Sequence, residues 1–211
     1  LTGFGQDGPY RNRVGHDVNY IALGGLLHLT GMEGGPPVLP GVQVADLSGG
    51  MMAALGILAA LLARERTGEG RCVDVAMLDT VMSWLGLQAA LLGATGKTPQ
   101  RGRWFLGGGL PGYQVYETRD GRYISVGALE EKFWRNLCVA LGREDLIPFA
   151  EPDEVKRREI QAELYDIFQR QREEAVEPVV KEDVAEVLRR RFFKPESLKD
   201  HPSASESRCR R

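Results

Sequence analysis

Three acidic or basic side chains stand where a reacting group could use them. His16 lies in Val14-Gly-His-Asp-Val18, at a predicted loop-to-helix junction. An imidazole there can exchange protons near neutral pH; the plainer reading is a loop histidine that caps or packs. Asp46 lies in Val44-Ala-Asp-Leu-Ser-Gly-Gly50, directly before an apolar run. The spacing predicts it as the N-cap of a buried helix, where a carboxylate contributes about 1 kcal/mol. The N–H groups and positive dipole end of such a helix could also steady a developing oxyanion on a substrate. Gly49 and Gly50 would let a ligand approach the backbone closely. Glu130 opens a predicted helix after Val126-Gly-Ala-Leu129. First-turn glutamates, Glu131 included, commonly do no more than complement the dipole.

Other chemistries lack their motifs. The sequence has no Gly-x-x-x-x-Gly-Lys phosphate loop, no His-Glu-x-x-His and no Gly-x-Ser-x-Gly elbow. Gly107-Gly-Gly109 is too short to serve as a nucleotide loop, and no residue set offers a metal site. His28, on an apolar helix, and His201, near the end, read as structural or solvated. Cys72, Cys138 and Cys209 are scattered and odd in number, which argues against a disulfide framework and for a reducing, cytoplasmic setting.

These residues need a scaffold. Glycine and proline spacing predicts a loop over 1–16, a helix over 17–29 with Val18, Ile21, Ala22, Gly25, Leu26 and Leu29 on one face, and a loop over 31–44. The run 47–63 predicts a helix apolar on nearly every side, buried all round, and ended by Arg64-Glu-Arg-Thr-Gly68. Residues 72–78 read as a strand, and Asp79 or Thr80 as the cap of a second apolar helix ending near Gly96. Farther on, 113–118 and 122–126 flank Asp120-Gly121, a hairpin signal. Helices follow over 130–141 and 153–171, the latter with Val155, Ile160, Leu164, Ile167 and Phe168 facing inward.

At 211 residues, 43% hydrophobic and 27% charged, the chain can bury a sizeable core and is neither disordered nor fibrous. A net charge of −2 argues against a nucleic-acid binder. The most apolar stretch, 49–63, falls short of the ~20 residues that cross a bilayer. The first residues lack the charged and apolar regions of a signal peptide. Charge also marks boundaries. Residues 111–187 carry a net −7 and 188–211 a net +5, and the first shift falls at Gly107-Gly-Gly-Leu-Pro-Gly112. The expected division is a large domain over 1–106, a small α+β domain over 107–187 and a frayed tail over 188–211.

Taken in order, several segments resemble the family III CoA-transferases (CaiB/BaiF), in particular their α-methylacyl-CoA racemase branch. They are Leu1-Thr-Gly-Phe-Gly-Gln-Asp-Gly-Pro-Tyr10, Gly15-His-Asp-Val-Asn-Tyr-Ile-Ala22, Ala45-Asp-Leu-Ser-Gly-Gly50, Val73-Asp-Val-Ala-Met-Leu-Asp79 and Asp120-Gly-Arg-Tyr-Ile-Ser-Val-Gly-Ala-Leu-Glu130. The resemblance covers roughly residues 1 to 170. It implies an α/β fold: the later part of an open-sheet CoA-binding domain, plus a smaller α+β domain, from an interlocked homodimer. It also implies His16 and Asp46 as acid and base on opposite faces of the α-carbon of a 2-methylacyl-CoA, with Glu130 orienting the imidazole. Asp17, Tyr20, Gly49 and Gly50 fall among substrate- or CoA-binding positions. The acyl-CoA thioester is substrate, and no prosthetic group, metal, nucleic acid or membrane is implied. In the transferases the aspartate matching Asp46 is instead a nucleophile, so CoA transfer between acids is the alternative. Measured against the family, the chain is expected to be a fragment lacking an N-terminal half. A catalytically inactive dimerisation partner is therefore a third reading.

Overall fold

The computed structural model describes residues 1–170; the expected tail over 188–211 lies outside the described residues. The elements are α1 (Asp17–Leu23), α2 (Leu26–Leu29), α3 (Val44–Thr67), α4 (Met77–Ser83), α5 (Gly86–Thr95), β1 (Tyr113–Glu117), β2 (Tyr123–Gly127), α6 (Glu131–Ala140) and α7 (Glu154–Phe168), with a 3-10 turn at Glu144–Phe149. They divide between two compact units.

The first unit comprises Leu1–Gln114 and Gly127–Glu163. Its core near the candidate residues is Tyr20, Ile21, Ala45 and Val81, with Phe4, Leu26, Leu27, Val44 and Met77 packed against it. The opening segment is stitched to 75–78. Thr2 donates to the Val75 carbonyl at 2.9 Å, and Thr2 and Gly3 accept from Met77 and Leu78. Thr2 and Ala76 form a parallel bridge, the pairing of an open α/β sheet. Residues 72–76 otherwise have no ladder among the described residues, so the strand expected over 72–78 ends in the first turn of α4 instead. The helix expected over 17–29 is two helices. Gly25 takes a left-handed φ of 88°, and a Cβ on Gly24 would stand 2.9 Å from Val81 Cγ1. The second apolar helix also bends, by 53°, between α4 and α5. Its cap is Ala76 rather than Asp79 or Thr80, because the chain turns helical directly after the bridge.

α3 departs most from expectation. It runs 24 residues, longer than the apolar stretch that predicted it, and is long and apolar enough to cross a membrane by length and composition. Burial is one-sided. A stripe of small residues, Ala45, Ser48, Gly49 and Gly56, turns inward, and a Cβ on Gly49 or Gly56 would meet Met77 at 2.8 Å or Val73 at 2.7 Å. Leu47, Met51, Leu55, Leu58, Leu61 and Leu62 lie in solvent, Leu58 with 64% of its surface exposed. Composition says such a helix must be covered; it does not say that this chain supplies the cover. The helix ends at Gly68, as its last-turn arginines predict.

In the same unit, Trp134 of α6 is buried and donates from Nε1 to the Leu146 carbonyl at 3.0 Å. Asp153 caps α7 by accepting the Lys156 N–H at 2.9 Å. Arg103, Arg157 and Arg158 converge on Glu33, so the loop after α2 is held by ion pairs. Cys72 is exposed and Cys138 buried, and neither is in a disulfide.

The second unit comprises Val115–Val126 and the chain from Leu164. The hairpin forms as expected. Gly121, at φ 72°, donates to Thr118 at 3.0 Å, and Thr118 donates to Arg122 at 2.8 Å. Tyr116 is fully buried, with ring centroids 4.8 Å from Tyr165 and 4.9 Å from Phe168; burial pushes its phenol well above the ordinary range. Ile160, Leu164 and Phe168 of α7 are buried as predicted, whereas Val155 is 71% exposed.

Candidate functional site

Two helix N-termini meet where the sequence offers its acid and base. His16 is the N-cap of α1, in extended backbone. Its N–H donates to Asn19 Oδ1 at 2.9 Å, and its carbonyl accepts from Asn19 at 2.8 Å and Tyr20 at 3.3 Å. One residue earlier, the Gly15 carbonyl accepts from the Tyr20 hydroxyl at 2.7 Å. The backbone is thus clamped on both sides of the imidazole. The ring itself is exposed, and it forms a capping box with Asn19, its side chain set against the Asn19 N–H. That combination, a fixed stem and an accessible head, suits proton transfer to a bound molecule.

Tyr20 belongs to the clamp. It is buried edge-on to Phe4, ring centroids 5.2 Å apart, and its ring fills the space left by the absent side chains of Gly3 and Gly15. Its hydroxyl is committed to Gly15. Tyr20→Phe is expected to destabilise the fold by about 1 kcal/mol, since it leaves a part-buried carbonyl without its donor. Denaturant titration would measure this; an unchanged midpoint would show that the bond contributes nothing.

Asp46 lies two residues inside α3, not at its cap. The N-cap is Gln43, whose carbonyl accepts from Leu47 at 3.0 Å. The reason is a bond that spacing does not reveal. Asp17 Oδ1 accepts from the N–H of Ala45 at 2.6 Å and of Asp46 at 3.3 Å. The Asp17 carboxylate therefore satisfies α3's leading donors and extends the helix back to Val44. The same bond takes up the N–H groups that the sequence reading offered to an oxyanion. It also ties the residue after His16 to the residue before Asp46, so His16 and Asp46 flank a shared hydrogen bond. The Asp46 carboxylate is exposed and has no partner among the described residues.

The remaining candidates separate. Gly49 faces Met77 and Leu1, so its missing side chain serves helix packing; Gly50 borders open space. Glu130 is the N-cap of α6, accepting from Phe133 and Trp134 through its carbonyl, while its exposed carboxylate makes no capping bond. Glu131 beside it is paired with Arg135 at 3.2 Å. No hydrogen bond joins Glu130 to His16 or Asp46 among the described residues. A cleft of about 520 Å³ lies elsewhere in the unit, lined by Lys97, Arg103, Trp104, Phe105, Glu154 and Arg157 among others, and no candidate residue reaches it. No group of three or more His, Cys, Asp or Glu could hold a metal among the described residues.

The sequence is 39% identical over 155 residues to the α-methylacyl-CoA racemase of Homo sapiens, a match covering 70% of this chain and 39% of that protein. It is 38% identical over 150 residues to the succinyl-CoA:glutarate CoA-transferase of Mus musculus, covering 70% of this chain and 33% of that one. The chain thus spans less than half the length of these relatives. The fold resembles the crystal structure of a CAIB/BAIF family protein from Brucella suis, with a TM-score of 0.70 and 28% identity over 94% of this chain and 55% of that one. The α/β class expected from sequence is therefore that of its structural neighbours. The pattern that defines CoA-transferase family III matches residues 1–203, and the chain belongs to that family.

Proposed function

We propose that this chain carries the proton-transfer residues of an acyl-CoA racemase acting at the α-carbon of 2-methylacyl-CoA thioesters. The observation that carries the reading is the Asp17 bond, which anchors His16 and Asp46 at adjoining helix N-termini with both side chains accessible. In one direction the imidazole removes the α-proton from one face and the Asp46 carboxyl returns a proton to the other; the reverse reaction exchanges the roles. Between the two transfers the substrate is an enolate. With α3's donors bonded to Asp17, its stabilisation falls to other groups. Glu130 is assigned the orienting role through family likeness, since nothing among the described residues joins it to His16. The partners proposed are the acyl-CoA itself and a second copy of the protein, in a cytoplasmic setting.

A second reading has its own support. The transferase relative is nearly as similar as the racemase. In CoA transfer the Asp46 carboxylate attacks the thioester carbonyl, expels the CoA thiolate and is left as a mixed anhydride. Full-length protein incubated with a 2-methylacyl-CoA in deuterated water, without acceptor acid, separates the two. Racemisation incorporates deuterium at the α-carbon. No incorporation, together with CoA transfer to an added free acid, assigns the transferase.

A further inference from the structure

Family likeness places the Asp17 side chain among substrate- or CoA-binding positions, and its hydrogen bonds point to a structural part as well. Oδ1 is engaged by two backbone N–H groups 28 and 29 residues away in sequence. The carboxylate is half-buried between α1 and α3. Its own backbone is the first residue of α1, directly bonded to His16, and one of its two donors is the amide of Asp46. Around it, Tyr20, Ile21 and Ala45 are buried in one apolar cluster, so the groups on either side of the bond have little room to shift.

We infer that the Asp17 carboxylate is a positioning residue: it sets the separation of His16 and Asp46 by bridging the start of α1 to the first turn of α3. This rests on the proton-transfer reading for its functional consequence, though not for the bridge itself. Three features support positioning over ligand contact. Oδ1 is given to backbone donors, the charge-assisted bond from Ala45 is short at 2.6 Å, and the pair of bonds links the residue after His16 to Asp46 and the residue before it. Proton transfer across an α-carbon needs acid and base at fixed distances on opposite faces, and a displacement of about 1 Å can cost on the order of 10²-fold in rate. Asn at this position keeps the Oδ1 acceptor and loses the charge; Ala loses both.

The test uses full-length Asp17→Ala and Asp17→Asn, with two readouts. In α-deuterium incorporation, Asp17→Ala is expected to lower kcat by about 10-fold to 10²-fold while KM stays within about threefold, and Asp17→Asn to recover most of the rate. In amide hydrogen exchange, Asp17→Ala is expected to speed exchange at Ala45 and Asp46 by about tenfold or more, while the core amide of Trp134 stays protected and reports an intact fold. A raised KM with unchanged kcat in both variants would overturn the inference in favour of ligand contact, and unchanged exchange at Ala45 and Asp46 would overturn the bridge. If the unaltered protein incorporates no deuterium, the racemase reading fails by itself, and the exchange measurement still decides the bridge.

Discussion

Replacing His16 with alanine is expected to reduce α-deuterium incorporation by about 10²-fold or more, the usual contribution of a general acid or base. That corresponds to roughly 2.7 kcal/mol of transition-state stabilisation. The fold should survive, because His16→Ala removes only the imidazole's part of the capping box, and the bonds through the backbone N–H and carbonyl stay in place. The loss should fall on kcat with little change in KM, since the imidazole acts on the moving proton and not on the CoA moiety. Asp46→Asn is the companion variant and should be similarly impaired, but it cannot distinguish racemase from transferase, because both need the carboxylate. His16 can. A transferase leaves the α-proton in place, so CoA transfer that persists in His16→Ala, with no deuterium incorporation in the unaltered protein, would refute the proton-transfer assignment.

Introducing charge on the outer face of α3 should abolish association while leaving the chain folded. Leu47, Met51, Leu55, Leu58, Leu61 and Leu62 are all exposed. Burying each fully against a partner would contribute about 1.5–3 kcal/mol, so the face as a whole favours assembly strongly. The 211-residue chain is expected to elute from gel filtration well above its monomer size. Leu55→Glu with Leu58→Glu should return it to the monomer position. Because both side chains are mostly exposed among the described residues, the pair should change unfolding free energy by only about 0.5 kcal/mol per site. A monomeric unaltered chain would remove the basis for this expectation, and a large loss of stability in the double variant would show that the face is packed within the chain after all.

Local chemistry made much of the scaffold legible. Arg64 and Arg66 before Gly68 marked the end of α3, Asp120-Gly121 marked the hairpin, and the turn before His16 marked the start of α1. Each is a decision made within a few residues. What the sequence concealed depends on distant partners. Asp46 reads as a cap because it is the acidic residue before the apolar run; the actual capping carboxylate is Asp17, 28 residues from the amide of Ala45. Residues 72–78 have strand chemistry, but a strand needs neighbours, and among the described residues only Thr2 pairs there. The exposed face of α3 has a related cause. Apolar composition fixes that a surface wants to leave water, and the small-residue stripe shows which side the chain itself can cover. At Gly24-Gly25 the missing signal was the close approach of Val81, which periodicity cannot report.

The span of the Asp17 bridge bears on the order in which the molecule assembles. Closing a 28-residue loop in an otherwise disordered chain costs about 3 kcal/mol of configurational entropy, before any constant term. The bond at 2.6 Å returns about 1.5–3 kcal/mol and the longer one at 3.3 Å less, so without the apolar cluster beside them the two do little more than offset the closure. The Tyr20, Ile21, Ala45 and Val81 cluster must gather first, and the bridge then locks a loop already closed. On this order the backbones of His16 and Asp46 are fixed relative to each other late in folding and freed early in unfolding. On warming, catalysis should fade through this local opening several degrees below the temperature at which the buried aromatic rings become exposed.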